Sequence, residues 1–399
     1  MYPDSVRTTR ETPGSQTSLR EANRARIVAA VQQHGSLTQV ELSGITGLSP
    51  ATISNIVKEL TGTGVLSTAP STRSGRRAQL VTLARSLGLV AGVDFGSRTM
   101  RVVLADASMR LLASEQMPLA PDHRADMGMQ RASMLIQEMT DSVEAGVGEL
   151  LAVGIGVPAP VDTARGVVSS AGLLRGWDGA DVAANLSAQL GVPVSVDNDA
   201  NLGALAEARY GAAVGYDPVV YVRASHGIGG GIVLGGRLLH GRAGSAGEIG
   251  HVTIDENGPI CRCGNRGCLE TFVGSPVLLG MLAASHGHLT LGDVVTRAQD
   301  GDAGCRRVLS DAGAHLGAAV ANLCNLVDPE VVVVGGQLAA AGDIILAPLR
   351  SAVEQRTVPS AEGPPVVVPS EFGEWAEARG ALAVALDRAR SDGALGVSA

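Results

Sequence analysis

Cys261-Arg262-Cys263-Gly264-Asn265-Arg266-Gly267-Cys268-Leu269-Glu270, with Glu248-Ile249-Gly250-His251 just upstream, is the stretch that decides how this chain is read. Three of the five cysteines fall within eight positions, and the histidine stands ten residues before the first of them. One imidazole and three thiolates so close together are the ligand set of a closed tetrahedral zinc site. Glycines within the run let the backbone fold tightly around an ion. His251, Cys261, Cys263 and Cys268 are therefore the expected ligands, and a site with no open position implies a structural ion. The competing reading, a chance cluster of buried thiols, is weakened by the scarcity of cysteine elsewhere. Glu248 and Glu270 bracket the site without being needed as ligands. The ion reads as a clamp that holds two acidic side chains towards something polar.

Outward from this run the chain alternates short apolar strands with glycine or acidic turns. Val90 to Asp106 reads as strand, tight turn and strand, with Asp94-Phe95-Gly96 at the turn. Such a turn orients metal-bound phosphate, its backbone amides pointing at oxygen. Strands at 151–157 and 192–196 follow, the second running into Asp197-Asn198-Asp199-Ala200-Asn201 and an Ala-rich helix. Polar residues at the carboxyl end of a strand are where open α/β sheets place ligands. Val219 to Val222 is a further strand, and His226-Gly227-Ile228-Gly229-Gly230-Gly231 reads as a second glycine turn fit to approach phosphate. Val331 to Val334 is a buried strand ending in Gly335-Gly336. Glycine turns in plain sheet architecture would explain any one of these. Three in order, beside Asn198-Asp199 and the metal run, point to two related α/β lobes around a cleft.

The first ninety residues have another character. They carry 10 basic and 5 acidic side chains, whereas residues 91–399 carry 21 and 34, within a net charge of −8. A basic segment on an acidic body suggests a polyanionic partner. Residues 1–18 are Ser-, Thr-, Arg- and Pro-rich and are expected to be a disordered tail. Apolar residues then repeat at helical spacing up to Gly35. Thr38 is placed to cap a short second helix, Gly47 to make the turn, and Ser49-Pro50 to start a third helix. In that helix Ile53, Ile56, Val57 and Leu60 form the buried stripe, leaving Thr52, Ser54, Asn55 and Lys58 outward. Three short helices with a tight turn match a helix-turn-helix whose third helix enters a major groove. Strand-like runs at 65–67 and 78–83, joined through residues 70–77, form a wing with Arg73, Arg76 and Arg77 at its tip. The bland alternative is a generic three-helix interaction module.

At 399 residues the chain has room for several domains. With aromatics at 2%, core volume must come from Ala, Val and Leu. No uninterrupted apolar run approaches the ~18 residues of a membrane span, and the N-terminus lacks a signal-peptide core. Few cysteines, three of them at metal spacing, imply a reducing cytoplasm.

Taken together, Asp197-Asn198-Asp199-Ala200, Gly227-Ile228-Gly229-Gly230-Gly231, Glu248-Ile249-Gly250-His251 and the Cys-x-Cys-Gly-x-x-Gly-Cys-x-Glu run resemble the ROK family of repressors, open reading frames and sugar kinases. The resemblance covers nearly the whole chain and implies an N-terminal winged helix-turn-helix plus a two-lobed actin/hexokinase-like, ribonuclease H-like body. It divides the chain into the tail 1–18, a DNA-binding domain 19–85, a first α/β lobe 88–200 on which a C-terminal helix at about 376–391 packs back, and a second lobe 201–375 carrying the zinc site. It implies that Asn198, Glu248 and Glu270 bond sugar hydroxyls. Asp199 matches a general base for phosphoryl transfer, and His251 would bind zinc with one nitrogen and face the sugar with the other. Asp94, Gly96, Gly227, Gly229, Gly335 and Gly336 fall on the phosphate turns.

The chain departs from the kinase pattern at those turns. Ser97 and Arg98 stand where Gly and Thr are expected, His226 replaces a Thr, and Ala159 replaces a Gly. Phosphoryl transfer depends on positioning and charge stabilisation around the phosphates, so these changes speak against ATP and Mg2+ while the sugar set stays complete. The expectation is a sugar-responsive repressor of carbohydrate uptake or catabolism genes. It would bind an inverted-repeat operator as a homodimer or tetramer, with a sugar or sugar phosphate as effector. The alternative is an active ATP-dependent sugar kinase with an accessory DNA-binding domain. A regulator sensing a protein partner fits the complete sugar set less well.

Overall fold

The computed structural model describes residues 16–73, 76–84, 87–120, 123–169 and 176–395. Contacts divide the chain into two compact units, with the body spanning Gly88–Asp392.

In the N-terminal unit, helices Gln16–His34, Gln39–Thr46 and Pro50–Gly62 precede a hairpin of Leu66–Arg73 and Arg76–Leu83. Local chemistry accounts for each boundary. Thr38 and Glu41 form a reciprocal capping box at the start of the second helix. Gly47 ends that helix at φ 69°, a conformation that costs glycine little. The Ser49 hydroxyl accepts the Thr52 amide at 3.2 Å, and Pro50 occupies the first turn, where its missing N–H is not needed. Ile53, Ile56, Val57 and Leu60 are buried, each worth about 1.5–3 kcal/mol relative to exposure.

Two expectations change here. The tail 1–18 lies largely outside the described residues, but 16–18 already belong to the helix Gln16–His34. Low apolar content suggested disorder, yet Gln, Leu, Arg and Glu propagate a helix well once it is nucleated further along. The wing strands are also longer than expected, pairing in register as far as Arg73 opposite Arg76. Pro70 is tolerated because its strand lies at the sheet edge. A two-residue strand, Leu37–Thr38, completes the sheet on the far side of the hairpin.

The body holds two five-stranded sheets. In the first, Leu89–Phe95 is flanked by antiparallel Thr99–Asp106 and then Leu111–Pro118. On its other side lie parallel Leu150–Val157 and Val194–Asn198. In the second, Val219–Ala224 takes the central place. Antiparallel Ile228–Leu234 and Arg237–Leu238 lie on one side, and parallel Val331–Gly335 and Val366–Pro369 on the other. The two sheets therefore share one topology, as expected of duplicated lobes. Each lobe has its own apolar cluster, around Val93, Val102 and Ile155 in the first and Val222, Val332 and Leu316 in the second.

Leu111–Pro118 is not evident from the sequence. It is an edge strand with mostly exposed side chains, so it lacks the apolar run that marks a buried one. Helix Ala376–Ser391 lies across the first sheet so closely that a Cβ on Gly154 would fall 1.9 Å from the Ala381 carbonyl oxygen. Helix Asp199–Tyr210 leaves the last strand of the first sheet and packs on the second.

The glycine run at 229–231 is the main correction within the body. Gly229, Gly230 and Gly231 lie inside the strand Ile228–Leu234, and the turn itself is confined to Ser225–Gly227. The reason is packing: a Cβ on Gly231 would sit 2.5 Å from the Ala200 carbonyl oxygen, and one on Gly229 would be 3.0 Å from the Ala200 Cβ. These glycines bring the helix Asp199–Tyr210, with Asp199 at its start, onto the second sheet.

Candidate functional site

In the N-terminal unit the third helix presents Ser54, Asn55 and Lys58 to solvent, while Thr52 is half-buried with its hydroxyl 2.8 Å from that of Ser49. Arg24 pairs with Glu59 at 3.4 Å, tying the first helix to the third. Arg73 and Arg76 face each other at the hairpin end and Arg77 lies opposite Thr72. The side chains of all three arginines lie outside the described residues. Among the described residues, no helix is long and apolar enough to cross a membrane.

In the body, the metal run folds into a tight loop in which the Cys261 amide donates to the Asn265 carbonyl at 2.7 Å and the Gly264 amide to the Cys261 carbonyl at 3.0 Å. His251, Cys261, Cys263 and Cys268 bring their ligand atoms within 4.8 Å of one another. The spacing suits an ion of zinc's size. A tetrahedral site with Zn–S near 2.3 Å and Zn–N near 2.0–2.1 Å requires S···S of about 3.8 Å and S···N of about 3.6 Å. Cys263 and Cys268 sulfurs stand 3.7 Å apart, and the Cys261 sulfur lies 3.5 Å from His251 Nδ1. The cysteines are free thiols. The other ring nitrogen, Nε2, is 3.9 Å from a Glu248 oxygen.

Asp199, Glu248 and Glu270 gather beside this loop. Burial, reinforced by Asp199 and Glu270, pushes the Glu248 carboxyl up to about 7. Glu270 is gripped by Arg262 from within the metal loop, Nε to Oε1 at 2.7 Å and Nη2 to Oε2 at 3.3 Å. Asn198 caps the helix Asp199–Tyr210, its amide oxygen accepting from Ala200 and Asn201 while its NH2 donates to the Ala159 carbonyl at 3.2 Å. One of its N–H bonds remains for a ligand. Asp197 supports this corner by accepting the Asn198 amide at 2.7 Å and pairing with His240 at 2.7 Å.

The turns at 96–99 and 225–226, expected from the sequence to face phosphate, open onto a cavity of about 550 Å3 lined by Gly96, Arg98, Arg101, Arg223, His226 and Gln337 among others. Gly96 closes the first turn, its amide donating to the Thr99 carbonyl at 2.9 Å. Gly227 faces the other way, towards Glu270 and Arg262. Gly335 and Gly336 are required by packing, since a Cβ on Gly335 would fall 2.2 Å from the Tyr221 hydroxyl and one on Gly336 2.5 Å from the Ala224 carbonyl oxygen.

Behind these turns lies a buried charge cluster that the sequence reading missed. Arg223 Nη1 is 3.2 Å from Asp199 Oδ2, near enough for charge attraction but not aligned as a hydrogen bond, and its Nε donates to Glu377 at 3.1 Å. The Tyr221 hydroxyl donates to the same Glu377 oxygen at 2.9 Å. Arg101 donates to Glu374 at 2.7 Å and stands 3.7 Å from Asp94. Neither carboxylate oxygen of Asp94 has a hydrogen-bond partner among the described residues. Burial, opposed by Arg223, pushes its carboxyl up to about 8, favouring the neutral acid at pH 7. Burial also raises the Asp199 carboxyl, against the pull of Arg223. His226 is held below the ordinary histidine range by burial and then by Arg223 and Arg98. Asp94 and Asp199 are thus both buried and each faced by a fixed guanidinium group, Arg101 at 3.7 Å and Arg223 at 3.2 Å. The available signal was the charge in the apolar strand Val219–Ala224, because a buried charge needs a partner.

The profile of the ROK family matches residues 90–388, and that of a winged helix-turn-helix DNA-binding domain matches residues 20–67. The xylose repressor of Bacillus subtilis (strain 168) is 28% identical over 377 residues, covering 93% of this chain and 97% of that protein. The glucokinase of Thermotoga maritima is 31% identical over 312 residues, covering 74% of this chain and 97% of that protein. A solved ROK family transcriptional regulator, a homolog of the E. coli MLC protein, superposes with a TM-score of 0.75 at 26% identity, covering 94% of this chain and 98% of that one. A family match over most of the chain, together with the duplicated sheets and the clustered His-Cys-Cys-Cys run, leads to one assignment: this chain belongs to the ROK family.

Proposed function

We propose that this chain is a sugar-responsive, DNA-binding transcription regulator, a repressor of carbohydrate uptake or catabolism genes in the cytoplasm. The observation that carries the reading is the joining, in one chain, of a helix presenting Ser54, Asn55 and Lys58 to solvent and a body that gathers Asn198, Asp199, Glu248, His251 and Glu270 beside a metal loop. Carboxylates and an amide suit a polyhydroxylated ligand, and a structural zinc on His251, Cys261, Cys263 and Cys268 would hold the geometry. The effector is a sugar or sugar phosphate. Its binding shifts the equilibrium between states of different DNA affinity. A dimer reading an inverted repeat is the simplest arrangement for a winged helix, with a tetramer as the larger form. The similarity to a xylose repressor over 93% of this chain supports the reading.

A kinase reading is favoured by the 31% identity to a glucokinase and by the retained Asp94 and Asp199. Against it, Asp199 Oδ1 accepts the Ala200 amide at 2.7 Å, and the Arg223 guanidinium stands 3.2 Å from Oδ2. Burial raises the Asp199 pKa as a base requires, but the guanidinium pulls the other way and favours the carboxylate. Two measurements test the proposal. Titration of purified protein onto genomic DNA fragments, with and without xylose, glucose or N-acetylglucosamine, should reveal a specific complex that one of these sugars or its phosphate ester weakens. Coupled ATP consumption across the same panel should stay at background. Robust sugar-dependent turnover would replace the regulator reading with the kinase one. At the wing, the double variant Arg76→Ala, Arg77→Ala should weaken binding to all sequences and lower the salt slope by about one unit per lost phosphate contact.

A further inference from the structure

The three carboxylates of the proposed sugar site differ in how they are held. Asp199 is faced by a buried arginine, and Glu248 has only a histidine nitrogen at 3.9 Å. Glu270 is taken by Arg262, a side chain 53% exposed that projects from between the metal ligands Cys261 and Cys263. The fork reaches both Glu270 oxygens, and the Ile228 amide approaches Oε2 at 3.4 Å, so the guanidinium holds the short contact on Oε1 and shares Oε2. Arg262 also reaches into the site. Its Nη2 lies 3.6 Å from where a Gly227 Cβ would stand, and its charge acts on both Asp199 and Glu248.

The backbone on either side of Arg262 is fixed by the loop's hydrogen bonds and by the ligand cysteines, so Glu270 is released by rotation of the arginine side chain alone. Being half exposed, that side chain gives up little burial when it swings into water. From this, and resting on the sugar-site reading above, we infer that Arg262 is a displaceable internal cation that occupies Glu270 in the sugar-free protein and sets the affinity threshold for a neutral sugar. A sugar hydroxyl that bonds Glu270 competes with the guanidinium for its oxygens. Each encounter is therefore a competition between a neutral donor and a charged one, and salt weakens only the charged competitor.

The test uses the full-length chain and titrates xylose, glucose and N-acetylglucosamine by calorimetry at about 50 mM and about 500 mM NaCl. For the sugar that binds, Arg262→Gln should bind about threefold to fivefold tighter than wild type at low salt, the range expected for loss of a partly exposed ion pair. Wild-type affinity should rise with salt and that of Arg262→Gln should not. Arg262→Lys, which keeps the charge, should retain the salt dependence. Zinc content equal to wild type in all three proteins establishes that the loop is intact. Weaker binding by Arg262→Gln would make the arginine a direct sugar contact and overturn the inference. Equal affinity with equal salt response would overturn it as well, leaving the sugar site standing. Failure of these sugars to bind either wild type or variant, with their phosphate esters failing too, would instead remove the sugar-site reading, and this inference with it.

Discussion

On the metal-loop side of the body, Glu248 has a His251 nitrogen no nearer than 3.9 Å, and Glu270 is held by an arm that is 53% exposed. On the phosphate-turn side, Arg101 and Arg223 are each only 8% exposed and are locked onto Glu374 and Glu377 at 2.7 and 3.1 Å. Both sides are dense in charge, but only the first leaves its partners exchangeable. A carboxylate whose partner can swing into water is available to a ligand. One enclosed by a fixed guanidinium is already satisfied, and removing that guanidinium exposes a buried charge rather than freeing a site. On the function proposed here, the two sides of one body serve different ends: one recognition, the other cohesion.

The sharpest way to break this contrast is at Arg223. Arg223→Met should cost about 3–5 kcal/mol of stability, because Asp199 and Glu377 lose their buried counter-charge. Chemical denaturation measures it, and a loss under about 1 kcal/mol would mean that the cluster is solvated and could host a ligand. Next in size is the metal loop. Cys263→Ser should reduce zinc from near one per chain to near zero and remove about 2.7 kcal/mol, the stabilisation from an ion at about 100 times its dissociation constant. Mass-spectrometric metal analysis and calorimetry read the two effects. A folded wild-type protein without zinc would count against the clamp.

Glu248→Ala should weaken sugar binding about 10- to 150-fold, the range for losing a hydrogen bond to a charged group, while leaving operator affinity without sugar unchanged. An equal loss of both would indicate misfolding and blur the contrast. The smallest effect is at His240, whose pKa is raised, chiefly by its hydrogen bond to Asp197. A raised folded-state pKa gives stability that is complete below the unfolded value of about 6.5 and is lost as pH rises through the higher folded value. The difference in melting temperature between wild type and His240→Gln should therefore be largest near pH 6 and shrink towards pH 8. A difference that grows with pH would reverse the sign of the coupling.

Local signals were readable wherever the partners lie close in the chain. Thr38 with Glu41, Ser49 with Thr52, and the cysteines at 261, 263 and 268 all act within a few residues of one another, so their spacing is their geometry. Long-range pairs were not. Arg223 finds Asp199 across 24 positions and Glu377 across 154, and nothing in either neighbourhood names the other. The glycines at 229–231 show a further limit. A glycine looks the same in sequence whether it makes a turn or clears space for a helix, and only the Ala200 carbonyl 2.5 Å from a would-be Cβ on Gly231 tells the two apart.

By itself, the sequence determined the winged helix with its caps and buried stripe, the α/β character of the body, the clustering of His251 with Cys261, Cys263 and Cys268, and the strand-to-helix corner at Asn198-Asp199. These follow from periodicity, capping and ligand chemistry, which act over short stretches of chain. Only the tertiary structure decided that Asp94 is enclosed without a hydrogen-bond partner among the described residues, that Asp199 is faced by Arg223, and that Arg262 rests on Glu270. The energy of a charge depends on its solvation and on its neighbours in space, and both are set by the packing of strands and helices far apart in the chain.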